Sequence, residues 1–338
     1  MAARSHPLIP RSTALLAIAI FTIAVGCTPT RSGPAPSPTA AAVATAVPTQ
    51  APTQAPTPTP APLFPVTVTD DEGTAVTIPA EPKRIVSLTP ATTEALFAIG
   101  AGDRVIGKVQ DPANYPPEAA SIPEVATFAG VDIEKIVALN ADLVISGGVG
   151  LSQGDAVEQL RLAHIPVLVT YPTTIAGGIA GIKLIGQAVG LDSVATTLAD
   201  KLKADMDALA AIAATATTKP RVFYEIDVTG GIFTPPADSI YGEMFTLAGG
   251  TPISGNASYS ISLEELVAAD PEVILLGDAA YGATAEAVKA RAGWAGMTAV
   301  KDGRIVAVDD IVITRPGPRL VDGLRALIAA IHPELTLP

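Results

Sequence analysis

The sequence is poor in the residues that build cross-links and metal sites. One cysteine and three histidines in 338 residues exclude an internal disulfide framework. His6 lies in an N-terminal segment expected to be removed, so the body retains His164 and His332, too few for a zinc site. Cations are scarce as well: 21 Lys and Arg stand against 33 Asp and Glu, a net charge of -12, which excludes the basic footprint that nucleic acid demands. After residue 26 no apolar run approaches the ~20 residues that span a bilayer. A Walker phosphate loop is absent, and Gly148, Gly150 and Gly154 miss the dinucleotide fingerprint by one residue between the last two glycines.

What is present begins with a sorting signal over residues 1–26, in which Arg4, His6 and Arg11 precede the apolar run Ala14–Phe21 and the small residues Ala24-Val25-Gly26. That run is too short for a mature transmembrane helix. Small residues leading into the sole cysteine resemble a lipobox, which makes Cys27 the expected lipidation site; cleavage as an ordinary secretory signal is the alternative. Residues 27–65 are almost wholly Thr, Pro, Ala, Ser and Gln. They hold too little apolar bulk to offset ordering entropy, and their prolines favour extended polyproline II, so they read as a semi-rigid tether.

From residue 66 short β-branched runs alternate with helical patterns, the signal of an α/β fold with parallel sheets. A leading hairpin is expected around Asp70-Asp71-Glu72-Gly73. Strands are expected at 84–88, 104–109, 142–146 and 166–170, with a helix over 90–99 stopped by Gly100. A second series places strands at 221–226, 272–276 and 304–308 and helices near 240–248, 262–269, 284–291 and 318–331. Residues 132–145 align without gaps onto 262–275, each copy opening with a capping residue and carrying Glu in the first helical turn. Two pseudo-symmetric lobes follow, 66–190 and 219–338. Residues 192–217 lack Pro and Gly and align Val194, Leu198, Leu202, Met206, Leu209 and Ala213 on one face. Such a helix is roughly 40 Å long and reads as the inter-lobe helix, 191–218; a long surface helix within one domain is the bland alternative.

Arg84–Glu94, Gly102–Gly107, Tyr115–Ala119, Lys219–Tyr224, Leu247–Gly250 and Arg315–Leu320, together with the two Glu-bearing units, resemble the vitamin B12 and iron-complex (siderophore, haem) solute-binding proteins of ABC importers. The resemblance covers 82–333. It implies a helical-backbone (class III) periplasmic binding protein: α/β, two pseudo-symmetric lobes joined by one long helix, a monomer that moves little between its lobes. It also implies a small metal-complex ligand held between the lobes and an ABC permease with ATPase subunits as partner. The protein would be exported and lipid-anchored to the outer face of the cytoplasmic membrane, or periplasmic. No cofactor is expected; the ligand itself is a cobamide first, with ferric siderophore or haem as alternatives.

Clefts of this kind lie at the carboxyl ends of strands. Phe128 occupies a position where B12-binding relatives place an aromatic on the corrin ring, and Tyr115 sits in the matching loop. Tyr241 and Tyr259 are expected near the cleft from the second lobe. Arg315 matches a basic residue that reaches toward the ligand, although arginine equally stabilises loops through carbonyl groups. Glu134 and Glu264 match acids that dock on arginine pockets of the permease. A carboxylate in a first helical turn is also favoured by the dipole without any partner, and Glu265 has a capping box with Ser262 as its own role. A different class must be weighed: Gly150-Leu151-Ser152-Gln153-Gly154 fits a nucleophile elbow, which would make the chain an exported serine hydrolase using Ser152, with His332 as base. The intervening glycines after Ser146 argue for an ordinary loop instead.

Overall fold

Alternation of apolar and polar residues in Val66–Thr69 (β1) and Ala75–Ile78 (β2) makes the leading hairpin, whose inward residues Val68, Val76 and Ile78 are buried. The computed structural model describes residues 63–127, 129–254 and 259–338. Cys27, the signal segment, nearly all of the tether and Phe128 lie outside the described residues. All described residues fall in one compact unit of the chain.

The first lobe continues with β3 (Ile85–Ser87), α1 (Pro90–Ala98), β4 (Val105–Val109), β5 (Glu124–Thr127), β6 (Gly130–Val131), α2 (Ile133–Ala138), β7 (Leu143–Ser146), α3 (Gly154–Leu162), β8 (Val167–Val169) and α4 (Ile175–Val189). Its sheet runs β6-β5-β4-β3-β7-β8, parallel except at the β5–β6 edge. The strands β3 and β7 and the edge strand β8 are buried throughout, as expected of strands covered on both faces. α5 (Asp192–Ala213) then leads into the second lobe: β9 (Arg221–Glu225), β10 (Ile232–Phe233), α6 (Ile240–Leu247), β11 (Thr251–Pro252), β12 (Ser260–Ile261), α7 (Leu263–Ala269), β13 (Val273–Leu276), α8 (Ala285–Lys289), α9 (Thr298–Lys301), β14 (Ile305–Ala307), α10 (Asp310–Thr314) and α11 (Leu320–Ile331). Its parallel sheet is ordered β11-β9-β13-β14, with β10 and β12 paired apart.

The internal repeat extends to individual hydrogen bonds. Asp132 and Ser262 cap α2 and α7 by accepting from the backbone N–H three residues on, at 2.9 and 3.2 Å. Each helix ends on a left-handed residue, Asn140 at φ 50° and Asp270 at φ 44°. Arg84 Nε donates to the carbonyls of Leu139 and Asn140, and Arg221 Nε donates to those of Ala269 and Asp270. Asp142 and Glu272 each accept from the backbone N–H of the arginine, both at 2.9 Å. The expected capping box of Ser262 and Glu265 is formed.

α5 holds 22 residues, about 33 Å at 1.5 Å per residue. Its buried face differs from the expected one at the N-terminal half: Val194 is exposed, and Ala195 and Ala199 turn inward. The reason is close packing on α4, where a side chain at Gly186 would come within 2.1 Å of Ala195 Cβ. The largest apolar cluster runs from Ile78 and Leu143 through α4 and α5 to Tyr224 and Leu324, so one core is shared by both lobes. The outer face of each sheet has its own smaller cluster. Among the described residues no helix is long and apolar enough to cross a membrane.

Candidate ligand-binding cleft

The residues that follow β3, β7 and β8 face the second lobe across a cavity of about 400 Å³, within the ~300–1,000 Å³ typical of small-molecule sites. The first lobe contributes Thr89 to Thr92 and Ala95 at the start of α1, Leu151 after β7, and Thr170 to Thr173 after β8. The second contributes Ser239 to Tyr241 at the start of α6, Tyr259, and Thr314 to Pro316 after α10. α4 supplies the floor with Gly178, Gly181, Ile182 and Ile185. The acidic hairpin turn fixes one rim. Asp71 accepts from Tyr171 N–H at 2.7 Å and Glu72 accepts from Val149 N–H at 2.9 Å. Asp70 pairs with Arg161 at 3.0 Å.

Charge in the cleft is balanced within the protein. Among the described residues of the wall, Arg315 is the one cation and Asp238 the one acid. Arg315 crosses to the first lobe, donating to Glu94 at 2.8 Å and to both Asp111 oxygens at 2.9 and 2.5 Å. Arg319 makes a fork on Glu94 at 2.9 and 2.6 Å, so two guanidinium groups meet two carboxylates. Glu94 is buried. Burial pushes the Asp111 carboxyl up, but the hydrogen bonds and charge of Arg315, with the backbone N–H groups of Ala113 and Tyr115, together outweigh it and hold the group below the usual carboxylate range. Burial likewise works against the Arg315 charge, and its bonds to Asp111 and Glu94 more than restore it.

Three tyrosines stand at the cleft: Tyr171, Tyr241 and Tyr259. Burial, then the neighbouring Tyr259, pushes the Tyr241 phenol up to about 12. Burial and Tyr171 raise Tyr259 in the same direction. Tyr241 and Tyr259 are therefore neutral hydroxyls at physiological pH, able to donate and accept hydrogen bonds. Behind them Tyr224 donates to Asp310, and burial raises both groups.

The structure thus brings Tyr241, Tyr259 and Arg315 into one wall of the cavity. Tyr115 stands beside the cavity in a separate recess with Lys108, Asp111 and Asn114; its ring carries Arg319 at 3.9 Å from the centroid, which turns it toward the ion network. Tyr171 was not among the expected residues, although it directly follows β8, the position that strand-end reasoning favours. Its ring packs so closely on the loop after β7 that a side chain at Gly150 would come within 2.3 Å. Glu134 and Glu264 are exposed at the first turns of α2 and α7, one on each lobe. Ser152 is exposed and left-handed at the end of a 3-10 turn. His332 is buried, with Nδ1 on Glu334 at 3.0 Å and Nε2 on the Gly249 carbonyl at 3.2 Å. The base that a serine hydrolase needs is thus committed elsewhere.

Two α/β lobes bridged by a long helix, with a cavity at the carboxyl ends of their strands, define a solute receptor of the two-lobed binding-protein class. The family model described as periplasmic binding protein matches residues 85–312. An uncharacterized ABC transporter substrate-binding lipoprotein of Bacillus subtilis, YvrC, is 34% identical over 278 residues, 80% of this chain and 87% of the relative. A cobalamin-binding protein of Halobacterium salinarum is 30% identical over 281 residues, 80% of this chain and 74% of the relative. Among solved structures, the periplasmic heme-binding protein RhuT from Roseiflexus matches with a TM-score of 0.66 and 28% identity, covering 74% of this chain and 99% of that one. The chain belongs to the periplasmic binding protein family, as an ABC-transporter substrate-binding protein of the B12, siderophore and haem type. That family consists of solute-binding proteins rather than enzymes.

Proposed function

We propose that the protein captures a cobamide in the interlobe cleft, docks on its permease through Glu134 and Glu264, and is held at the membrane surface by a lipid on Cys27. The observation that carries the ligand choice is the internal neutralisation of Arg315. A ligand with two free carboxylates, such as haem, or an anionic catecholate chelate would enter a cleft with no spare cation among its described wall residues. Burying such charges without partners is strongly unfavourable. A cobamide presents neutral amide groups around a flat macrocycle, and the hydroxyls of Tyr241 and Tyr259 and the ring of Tyr171 suit amides and an apolar rim. The similarity to a cobalamin-binding relative supports the same choice.

Calorimetric titration of the purified protein with cyanocobalamin, cobinamide, haemin and ferric siderophores of both charge types tests this reading. One-to-one saturation is expected, with the cobamides at least about tenfold tighter than haemin, a difference of ~1.4 kcal/mol. Haemin or a catecholate complex ranking first would reassign the cargo.

A further inference from the structure

Gly181 is buried on α4, yet a Cβ placed there would meet no atom within 4 Å. Buried helical glycines ordinarily mark close approach of a neighbour, as Gly186 does against Ala195, because interiors are packed to crystal-like density. Here the space belongs to the interlobe cavity. Ile182, Ile185 and Ala95, all at most 3% exposed, line that cavity from within the shared core, so it reaches beyond the polar mouth into an apolar well.

One polar atom departs from this pattern. Thr170 is 6% exposed and lines the same cavity, and its Oγ1 is buried without a hydrogen-bond partner. The hydroxyls of Thr89 and Thr92 nearby are satisfied within their own cluster with Ser87. An orphaned buried hydroxyl is unfavourable in the free protein, and a ligand atom that pairs with it removes the penalty.

We infer that the cleft has an inner subsite, formed by Gly181, Ile182, Ile185 and Thr170, for an uncharged apolar appendage carrying one hydrogen-bonding atom, such as a heteroaromatic ring. Gly181 sets the size of the appendage and Thr170 its polar registration. The charged groups Glu94, Asp111 and Arg315 are engaged with one another, so the subsite selects for shape and a single hydrogen bond. The inference rests on the carrier reading and adds which part of the cargo is discriminated.

The test uses cyanocobalamin, which bears a benzimidazole base on a ribose phosphate loop, and cobinamide, which has the same macrocycle without base, ribose or phosphate; free benzimidazole separates the base from the rest of the loop. Gly181→Leu is expected to weaken cyanocobalamin binding by about tenfold or more, the range for one misfitted apolar group in a pocket, and cobinamide binding by a clearly smaller factor. Thr170→Val is expected to weaken cyanocobalamin by about fivefold and to raise the melting temperature, because the orphan hydroxyl is gone. Equal losses for both ligands, or no loss in either folded variant, would overturn the subsite. Should Gly181→Leu not fold, Thr170→Val and Gly181→Ala carry the same comparison. Free benzimidazole gives an independent arm: it should raise the melting temperature of the wild type and not that of the Gly181 variant. If the wild type binds none of the metal complexes, the carrier reading fails, and the benzimidazole arm still decides the subsite.

Discussion

Arg315 enters the cleft already neutralised, and that single fact shapes what the protein can hold. Its partners lie 221 and 204 residues away in the chain, at Glu94 and Asp111, on the opposite lobe. Nothing in the local sequence around Arg315 announces them, so resemblance placed the arginine at the ligand while its charge partners stayed hidden until the chain was folded. Tyr171 is the converse case, since its position directly after a strand was visible and went unused. The Asp111→Asn variant isolates the charge argument. It keeps the shape of the side chain and removes one negative charge from Arg315. Haemin affinity is expected to rise by about fivefold to tenfold, a change of ~1–1.4 kcal/mol, with cyanocobalamin little altered and the melting temperature lowered by loss of a partly buried ion pair. Calorimetry with both ligands checks it, and unchanged haemin binding would mean that charge does not select the cargo.

α4 and α5 show how far pattern reading reaches at the level of elements. α5 was legible because 22 helical residues without Pro or Gly repeat their apolar positions at helical spacing. α4 was not, because Gly177, Gly178, Gly181 and Gly186 lower helix propensity by ~1 kcal/mol each relative to Ala, and only packing recovers that loss. Two of these glycines do opposite things: Gly186 admits Ala195 at contact distance, and Gly181 faces open space. β3, β4, β7, β8, β9, β13 and β14 and the α2 and α7 repeats were legible to within a residue or two because buried parallel strands are continuous apolar runs, whereas β5, β6, β10, β11 and β12, two to four residues each, carry too short a pattern to be read. Within α5 the misassigned face, Val194 in place of Ala195 and Ala199, follows from the same close helix pair. Gly186→Ala should therefore overpack the α4–α5 contact and destabilise the protein by about 2 kcal/mol, measured by urea unfolding. Adding Ala195→Gly should restore about half or more of the loss, since the clash is between those two Cβ positions; additive destabilisation would place the strain elsewhere.

At the scale of the whole molecule, the two lobes share one core and present two acidic corners at equivalent positions of the repeat. Relative domain motion is the default where interfaces are small and polar, but here the lobes share one apolar cluster through α4, α5 and α11 and are clamped by Glu94, Asp111, Arg315 and Arg319. Ile175 N–H adds a bond to Glu243 of the second lobe at 2.8 Å. A body that moves little presents its surface to a partner without prior ordering, which lowers the entropic cost of docking. Glu134 and Glu264 occupy identical positions in the repeat, one residue into α2 and α7. Both side chains lie on exposed residues, which makes them suited to register a pseudo-symmetric partner by charge. Replacing either by Lys should weaken capture by the reconstituted permease by about tenfold, and replacing both should do so by about a hundredfold, with the loss growing smaller at high salt. Ligand affinity should stay at its wild-type value, because neither carboxylate lines the cleft, while the melting temperature should fall slightly as each first-turn carboxylate, worth about 0.3–1 kcal/mol, is lost. If the double variant docks and delivers its cargo normally, the paired acids serve only their helix termini, and recognition must lie on another surface.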